Sequence, residues 1–228
     1  MSRAKKKLVS WGLLLGIVLF VLCTFIVLLS RTPRFYEDAE IPQNITRLAD
    51  SDRVVGMLSD IRTALEGREA AWGIEFTDQE MNSFLQERAE ELGSDSILPK
   101  GFRDPRLKIE DDKLRLGIRY GSGLFSTILS FELRAWRIPT EDATIGVQLV
   151  TLKAGAMPLP LSVLLDRITE FVRSKGIDVT WYRMDGKPVG IFRFQYQSTR
   201  PTYQFESLSL KDGQFRLRCR STEIVMPK

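Results

Sequence analysis

The chain has 228 residues, with 33 Lys plus Arg against 29 Asp plus Glu and no histidine. Four of the basic residues, Arg3, Lys5, Lys6 and Lys7, lie in the first seven positions. The remainder therefore balances, and the basic pI is no footprint of a nucleic-acid binder. Without histidine a Ser-His-Asp triad and the commoner zinc sites are excluded, and two cysteines, Cys23 and Cys219, do not suffice for a thiolate cage.

From Leu8 to Leu29 the sequence LVSWGLLLGIVLFVLCTFIVLL carries no charge. As a helix rising about 1.5 Å per residue it covers roughly 33 Å, enough to cross a hydrocarbon core of about 30 Å. The basic residues before it outnumber Arg31 and Arg34 behind it, which are followed by Glu37, Asp38 and Glu40. That asymmetry keeps the N-terminus in the cytoplasm and exports the rest. The run is longer than a signal-peptide core, and Ser30-Arg31-Thr32-Pro33 offers no small-residue cleavage pattern, so it is read as an uncleaved anchor. Cys23 lies deep in this run behind the bulky Leu22, as a core cysteine.

The organisation expected is a cytoplasmic basic tail at 1–7, a transmembrane helix at 8–29, a juxtamembrane linker at 30–50 and one extracytoplasmic domain at 51–228. Pro33 and Pro42 break the linker, which acts as a tether. Asn44-Ile45-Thr46 within it matches a glycosylation sequon, a triplet too common to carry weight. Val54, Leu58, Ile61 and Leu65 predict a helix from Asp52 to Glu66, stopped at Gly67. A short strand, Ala71 to Phe76, leads into Thr77-Asp78-Gln79-Glu80, a capping box that starts a second helix. Its apolar face is Met81, Phe84, Leu85, Ala89 and Leu92, with Gly93 as its stop. Asn82 on that side is read as a packing or capping amide rather than a catalytic one.

Beyond Pro99, Gly101 and Pro105 the period changes to two. Leu107 and Ile109, the turn Asp111-Asp112, and Leu114, Leu116, Ile118 and Tyr120 describe a hairpin with one buried face. Phe125 to Trp136 and Thr144 to Ala154 follow as strands, and a change of parity before Leu152 and Ala154 requires a bulge. Met157-Pro158-Leu159-Pro160-Leu161 opens a third helix through Leu164, Leu165, Ile168, Phe171 and Val172, stopped by Gly176. Two more hairpins turn at Asp185-Gly186 and Asp212-Gly213. Leu107 to Arg119 aligns without a gap onto Leu208 to Arg220, an echo of a duplicated unit or simply of two alternating hairpins. The fold class expected is α+β, a largely antiparallel sheet with about three amphipathic helices packed on it.

A single N-terminal span, the helix start Phe76-Thr77-Asp78-Gln79-Glu80-Met81-Asn82, the series of strands joined by acidic turns and the entry Gly155-Ala156-Met157-Pro158-Leu159-Pro160 together resemble the YpmS-like proteins. The resemblance covers roughly Phe76 to Arg220 and implies a membrane-anchored bacterial envelope protein, with no site residue to carry over.

The chemistry is mostly negative. The pairs Asp111-Asp112 and Glu90-Glu91 are solvated turn and helix-face carboxylates, and no P-loop or dinucleotide fingerprint is present. No catalytic residue, metal site or cofactor is expected, and the chain is not read as an enzyme. Arg216, Arg218 and Arg220 alternate with Phe215, Leu217 and Cys219, giving the last strand one basic face; Arg115, Arg119 and Arg193 alternate similarly. Guanidinium groups match phosphate and carboxylate geometry, so these six are the candidate binding residues for an anionic lipid or envelope polymer. The bland alternative is a solvated sheet face kept from edge pairing by charge. Aromatic residues from Trp181 to Phe205 are read as core. The function expected is a single-pass, membrane-anchored extracytoplasmic binding module of the cell envelope, whose partner is the lipid bilayer. The alternative is a scaffold recruiting other membrane proteins.

The topology is testable. A reporter active only outside the cytoplasm, fused after Lys228, is expected to work. Activity of a cytoplasm-only reporter there, or recovery of a chain shortened near Ser30, overturns the uncleaved, N-terminus-inside anchor.

Overall fold

The uncharged run forms one helix, α1 (Arg3–Ser30), in the computed structural model, which describes residues 3–67, 69–88, 101–123, 126–174, 176–194 and 202–222. Its large apolar side chains from Trp11 to Val27 lie exposed. Among the described residues it is the one helix long and apolar enough to cross a membrane. The last carbonyls of any helix lack an intrahelical donor, and here the domain supplies two. The Ala156 N–H donates to the Leu28 carbonyl at 2.8 Å, and the Thr127 hydroxyl donates to the Leu29 carbonyl at 2.6 Å. Gly155 allows this approach: its φ is +59°, and a Cβ there would run into the carbonyls of Leu28 and Leu29.

The expected linker is largely folded, which corrects the tether reading. Pro33 precedes a short helix, α2 (Arg34–Asp38), on which Tyr36 is only 1% exposed. The Tyr36 hydroxyl donates to the Asp104 carbonyl at 2.6 Å, and its own carbonyl accepts from Arg106 Nη1 at 2.8 Å. The ring lies 4.4 Å from the Arg106 guanidinium carbon and covers Gly117, where any Cβ would strike it. Helix α3 (Ile45–Gly67) also starts earlier than expected, because Asn44 Oδ1 accepts the Arg47 N–H at 2.8 Å and serves as a cap. Its apolar residues do not form one covered face: Val54 is buried, but Leu58 one turn on is 48% exposed.

Strand β1 (Ala71–Thr77) runs directly into α4 (Asp78–Glu87), and both bonds of the capping box form. The Glu80 N–H reaches Thr77 Oγ1 at 3.1 Å and the Thr77 N–H reaches Glu80 Oε2 at 2.8 Å. Ala89, Leu92 and Gly93 lie outside the described residues. Asn82, nearly fully buried, pairs with the backbone of Leu107 in both directions: its Nδ2 donates to the carbonyl at 2.7 Å and its Oδ1 accepts the N–H at 2.8 Å. The amide thus joins α4 to the sheet as a peptide group would.

The strands that follow are β2 (Phe102–Glu110), β3 (Lys113–Tyr120), β4 (Thr127–Arg137), β5 (Thr144–Ala154), β6 (Met157–Pro158), β7 (Ile177–Met184), β8 (Lys187–Phe194), β9 (Thr202–Lys211) and β10 (Gln214–Thr222). They form two antiparallel sheets, one ordered β2-β3-β4-β5-β8-β7 with β6 beside β5, the other β1-β10-β9. Both turn residues of Asp185-Gly186 and Asp212-Gly213 have positive φ, as a type I′ hairpin requires. Pairing of Glu132 with Thr151 but of Leu133 with Leu149 leaves Val150 as the extra residue, the bulge that the parity change demanded. Helix α5 (Ser162–Ser174) is followed by Gly176 at φ +75° and is tied to β7 where Trp181 Nε1 donates to Thr169 Oγ1 at 2.7 Å.

The core lies where the smaller sheet meets the larger. Phe205, Leu217 and Cys219 pack with Ile145 and Phe194, while Leu107, Ile109 and Leu210 pack with Met81, Leu85 and Phe215. The two echoing segments are matching hairpins, and they touch: the Asp112 N–H donates to the Leu210 carbonyl at 3.0 Å. Of the aromatics read as core, Tyr203 and Phe205 are buried, Tyr182 is exposed, and Tyr196 lies outside the described residues.

Two predictions follow from burial. Asn82→Ala strands a buried N–H and carbonyl of β2, each costing about 1 to 3 kcal/mol, so denaturation of the full chain in detergent should show a loss of about 2 to 4 kcal/mol. A loss under about 0.5 kcal/mol would refute the bidentate role. Burial, with Glu206's charge second, pushes the Cys219 thiol up to about 12 from its ordinary 9.0; burial raises the Tyr36 phenol too. A raised folded value means that the stabilisation is complete below the unfolded value and fades as pH climbs towards the folded one. Thermal midpoints should therefore fall above about pH 9. Cys219→Val should cost under about 1.5 kcal/mol at neutral pH and flatten part of that decline, and an unaltered alkaline slope would remove the thiol from the account.

Candidate functional site

The six arginines singled out by alternation lie on three different strands in two sheets, and five of them are occupied. On β10, Arg216 stands opposite Glu75 of β1 and donates to it at 2.9 Å, while Arg220 reaches Glu206 of β9 at 2.7 Å. Arg218 has no carboxylate partner among the described residues. On β8, Arg193 donates to Glu141 at 2.9 Å and to Thr180 at 3.0 Å, and lies 3.7 Å from Asp178. The hydrogen bond that it donates to Glu141 is the main reason its pKa rises further. On β3, Arg119 donates to Asp104 at 3.3 Å, and Arg115 lies 3.1 Å from Glu110 and 3.7 Å from Glu132. Such half-exposed pairs hold the sheet surface together only weakly, but they neutralise it.

One of the six, Arg115, belongs to a different arrangement. Cross-strand register sets Arg115, Glu132 and Thr151 in one row of β3, β4 and β5, and Gly117, Ser130 and Lys153 in the next. Over these rows runs the chain from Arg31 to Phe35, held at one end by the capped carbonyls of α1 and at the other by Tyr36 on Gly117. Between them lies an open cavity of about 340 Å³, with Arg31, Arg34, Arg115, Lys153, Glu132 and Phe35 in its lining. Four cations therefore face one carboxylate, and Glu132 already serves both Lys113, at 3.4 Å, and Arg115. Among the described residues no carboxylate pairs with Arg31, Arg34 or Lys153. Among the described residues the unneutralised positive charge is thus concentrated at the end of α1, whereas the last strand keeps only Arg218 without a carboxylate.

Sequence reasoning missed this set for identifiable reasons. Along the chain Arg31 and Arg34 read as charges flanking the apolar run, and Lys153 joins them only through the register of β5 on β4. No signal along the chain marks that register, although the bulge at Val150 helps to set it.

Among the described residues no group of three or more Cys, Asp or Glu is placed to hold a metal ion. The exposed acidic turn residues Asp111 and Asp112 stand apart from the cavity. Comparison with protein-family models, with curated proteins and with solved structures finds no match for this chain.

Proposed function

We propose that this chain is a single-pass membrane-anchored protein of the cell envelope, without catalytic activity, whose extracytoplasmic domain binds an anionic component at the bilayer surface. The supporting observation is the position of the unpaired cations Arg31, Arg34 and Lys153 beside the last turn of α1. With α1 as the anchor, the contact of Thr127 and Ala156 with the Leu28 and Leu29 carbonyls keeps β4 and β5 close to the lipid head groups. Juxtamembrane basic groups gain about 1 kcal/mol each from an anionic surface. Binding there needs no tether to swing back towards the membrane.

A second reading, recruitment of other membrane proteins, is favoured by α3. Ile45, Leu48, Val55 and Leu58 stay exposed on it, apolar side chains that the domain itself does not cover.

Lipids retained on the full chain after mild detergent extraction, identified by mass spectrometry, test the first reading. Anionic species should be enriched over their share of the host membrane, and added salt should reduce them through screening. A retained set matching the bulk composition would count against it, and a co-purifying membrane protein released by Leu58→Glu would favour the scaffold.

A further inference from the structure

We propose that the cavity between the Arg31–Phe35 segment and the β3–β4–β5 face is a specific site for the phosphate of an anionic phospholipid head group. This rests on the anchored, anion-binding reading above and names its ligand and residues.

The charge argues for a phosphate-bearing ligand. A planar guanidinium donates two parallel hydrogen bonds to a phosphate, and an ammonium adds a mobile point charge. Arg31 and Arg34 come from above and Arg115 and Lys153 from the sheet, so the cations lie on opposite walls of the cavity. A helix C-terminus is by itself the wrong end for an anion. Here two of its carbonyls are already engaged by Ala156 and Thr127, which lowers the negative potential that a phosphate would meet.

The shape argues for a lipid over a free ion. A volume of about 340 Å³ greatly exceeds a single phosphate and suits a head group with its glycerol. Phe35 supplies apolar wall beside the cations. With α1 spanning the bilayer, the cavity opens at head-group depth, so a lipid enters by sideways diffusion with its acyl chains still in the membrane. The site is also stiff. Its upper wall is fixed at both ends, by the capped α1 carbonyls and by Tyr36 on Gly117, and little chain must be ordered when ligand arrives.

Native mass spectrometry of the detergent-solubilised full chain, titrated with phosphatidylglycerol or phosphatidylcholine, tests the site. The wild type should prefer phosphatidylglycerol, and the double variant Arg34→Glu, Lys153→Glu should reduce its binding about tenfold or more. Arg218→Glu, which removes the unpaired cation of β10, should leave the preference unchanged. Arg34 and Lys153 are exposed, so the fold should survive; if reversal does unfold the chain, Arg34→Gln with Lys153→Gln gives the same comparison with a smaller loss. No preference in the wild type overturns the anion-binding reading itself. A wild-type preference that survives the double variant, or that Arg218→Glu removes, overturns only this site. Complete displacement of phosphatidylglycerol by millimolar inorganic phosphate assigns the cavity to the free ion and overturns the lipid.

Discussion

The arrangement of this molecule depends on how the last turn of one apolar helix satisfies its carbonyls. A helix end left in a low-dielectric setting with unpaired carbonyls is costly. The Leu28 and Leu29 carbonyls avoid that cost by taking the N–H of Ala156, in the turn after β5, and the hydroxyl of Thr127 on β4, both more than ninety residues away in sequence. From that junction the rest follows in order. The chain leaving α1 must run across the β3–β4–β5 face, Tyr36 must seat on Gly117, and α4 closes over the edge strand β2 with α3 packed on α4. Asn82 then acts as a piece of peptide backbone lent by a helix to a strand, so the helical layer and the sheet share one hydrogen-bond network.

What was legible in the sequence was what local chemistry decides. The capping box at Thr77 and Glu80, the Asp-Gly turns, the glycine stop at Gly176 and the bulge in β5 each involve residues within a few positions of one another, and each has the structure that its residues require. The helix start at Ile45 is also written locally, in Asn44, whose place in a sequon masks its capping role. Illegible was anything fixed by register between distant strands. Alternation showed that Arg216, Arg218 and Arg220 share a face, yet not that Glu75 and Glu206 stand within reach to neutralise two of them. Alternation likewise showed Gly117 between Arg115 and Arg119, but nothing near it in the chain names the tyrosine that needs the missing side chain.

The arginines show how weak a guide like charge on one strand is. In an antiparallel sheet the directly opposed and diagonal neighbours decide whether a basic stripe attracts a ligand or is consumed by the sheet itself. Here consumption is the rule on β8 and β10. The cavity differs because one wall is not a strand: the segment from Arg31 to Phe35 brings two cations over a sheet whose carboxylates there, Glu132 and Glu110, are already taken by Arg115 and Lys113, and the charge is left over. Loops and helix ends escape the pairing that sheet geometry imposes, and binding sites are correspondingly often built from them.

The Tyr36 seat and the carbonyl caps together fix the helical phase of α1 against the domain. One residue added to the last turn would advance the chain by about 100° around the helix axis. The Leu28 and Leu29 carbonyls would then point away from Ala156 and Thr127, and the path from Arg31 to Tyr36 would leave from the wrong side. The apolar helix is therefore not an interchangeable peg. Its composition can drift so long as it stays apolar, but its length is counted from Tyr36 backwards, and any transplanted helix must arrive at Leu28 in the same rotational setting.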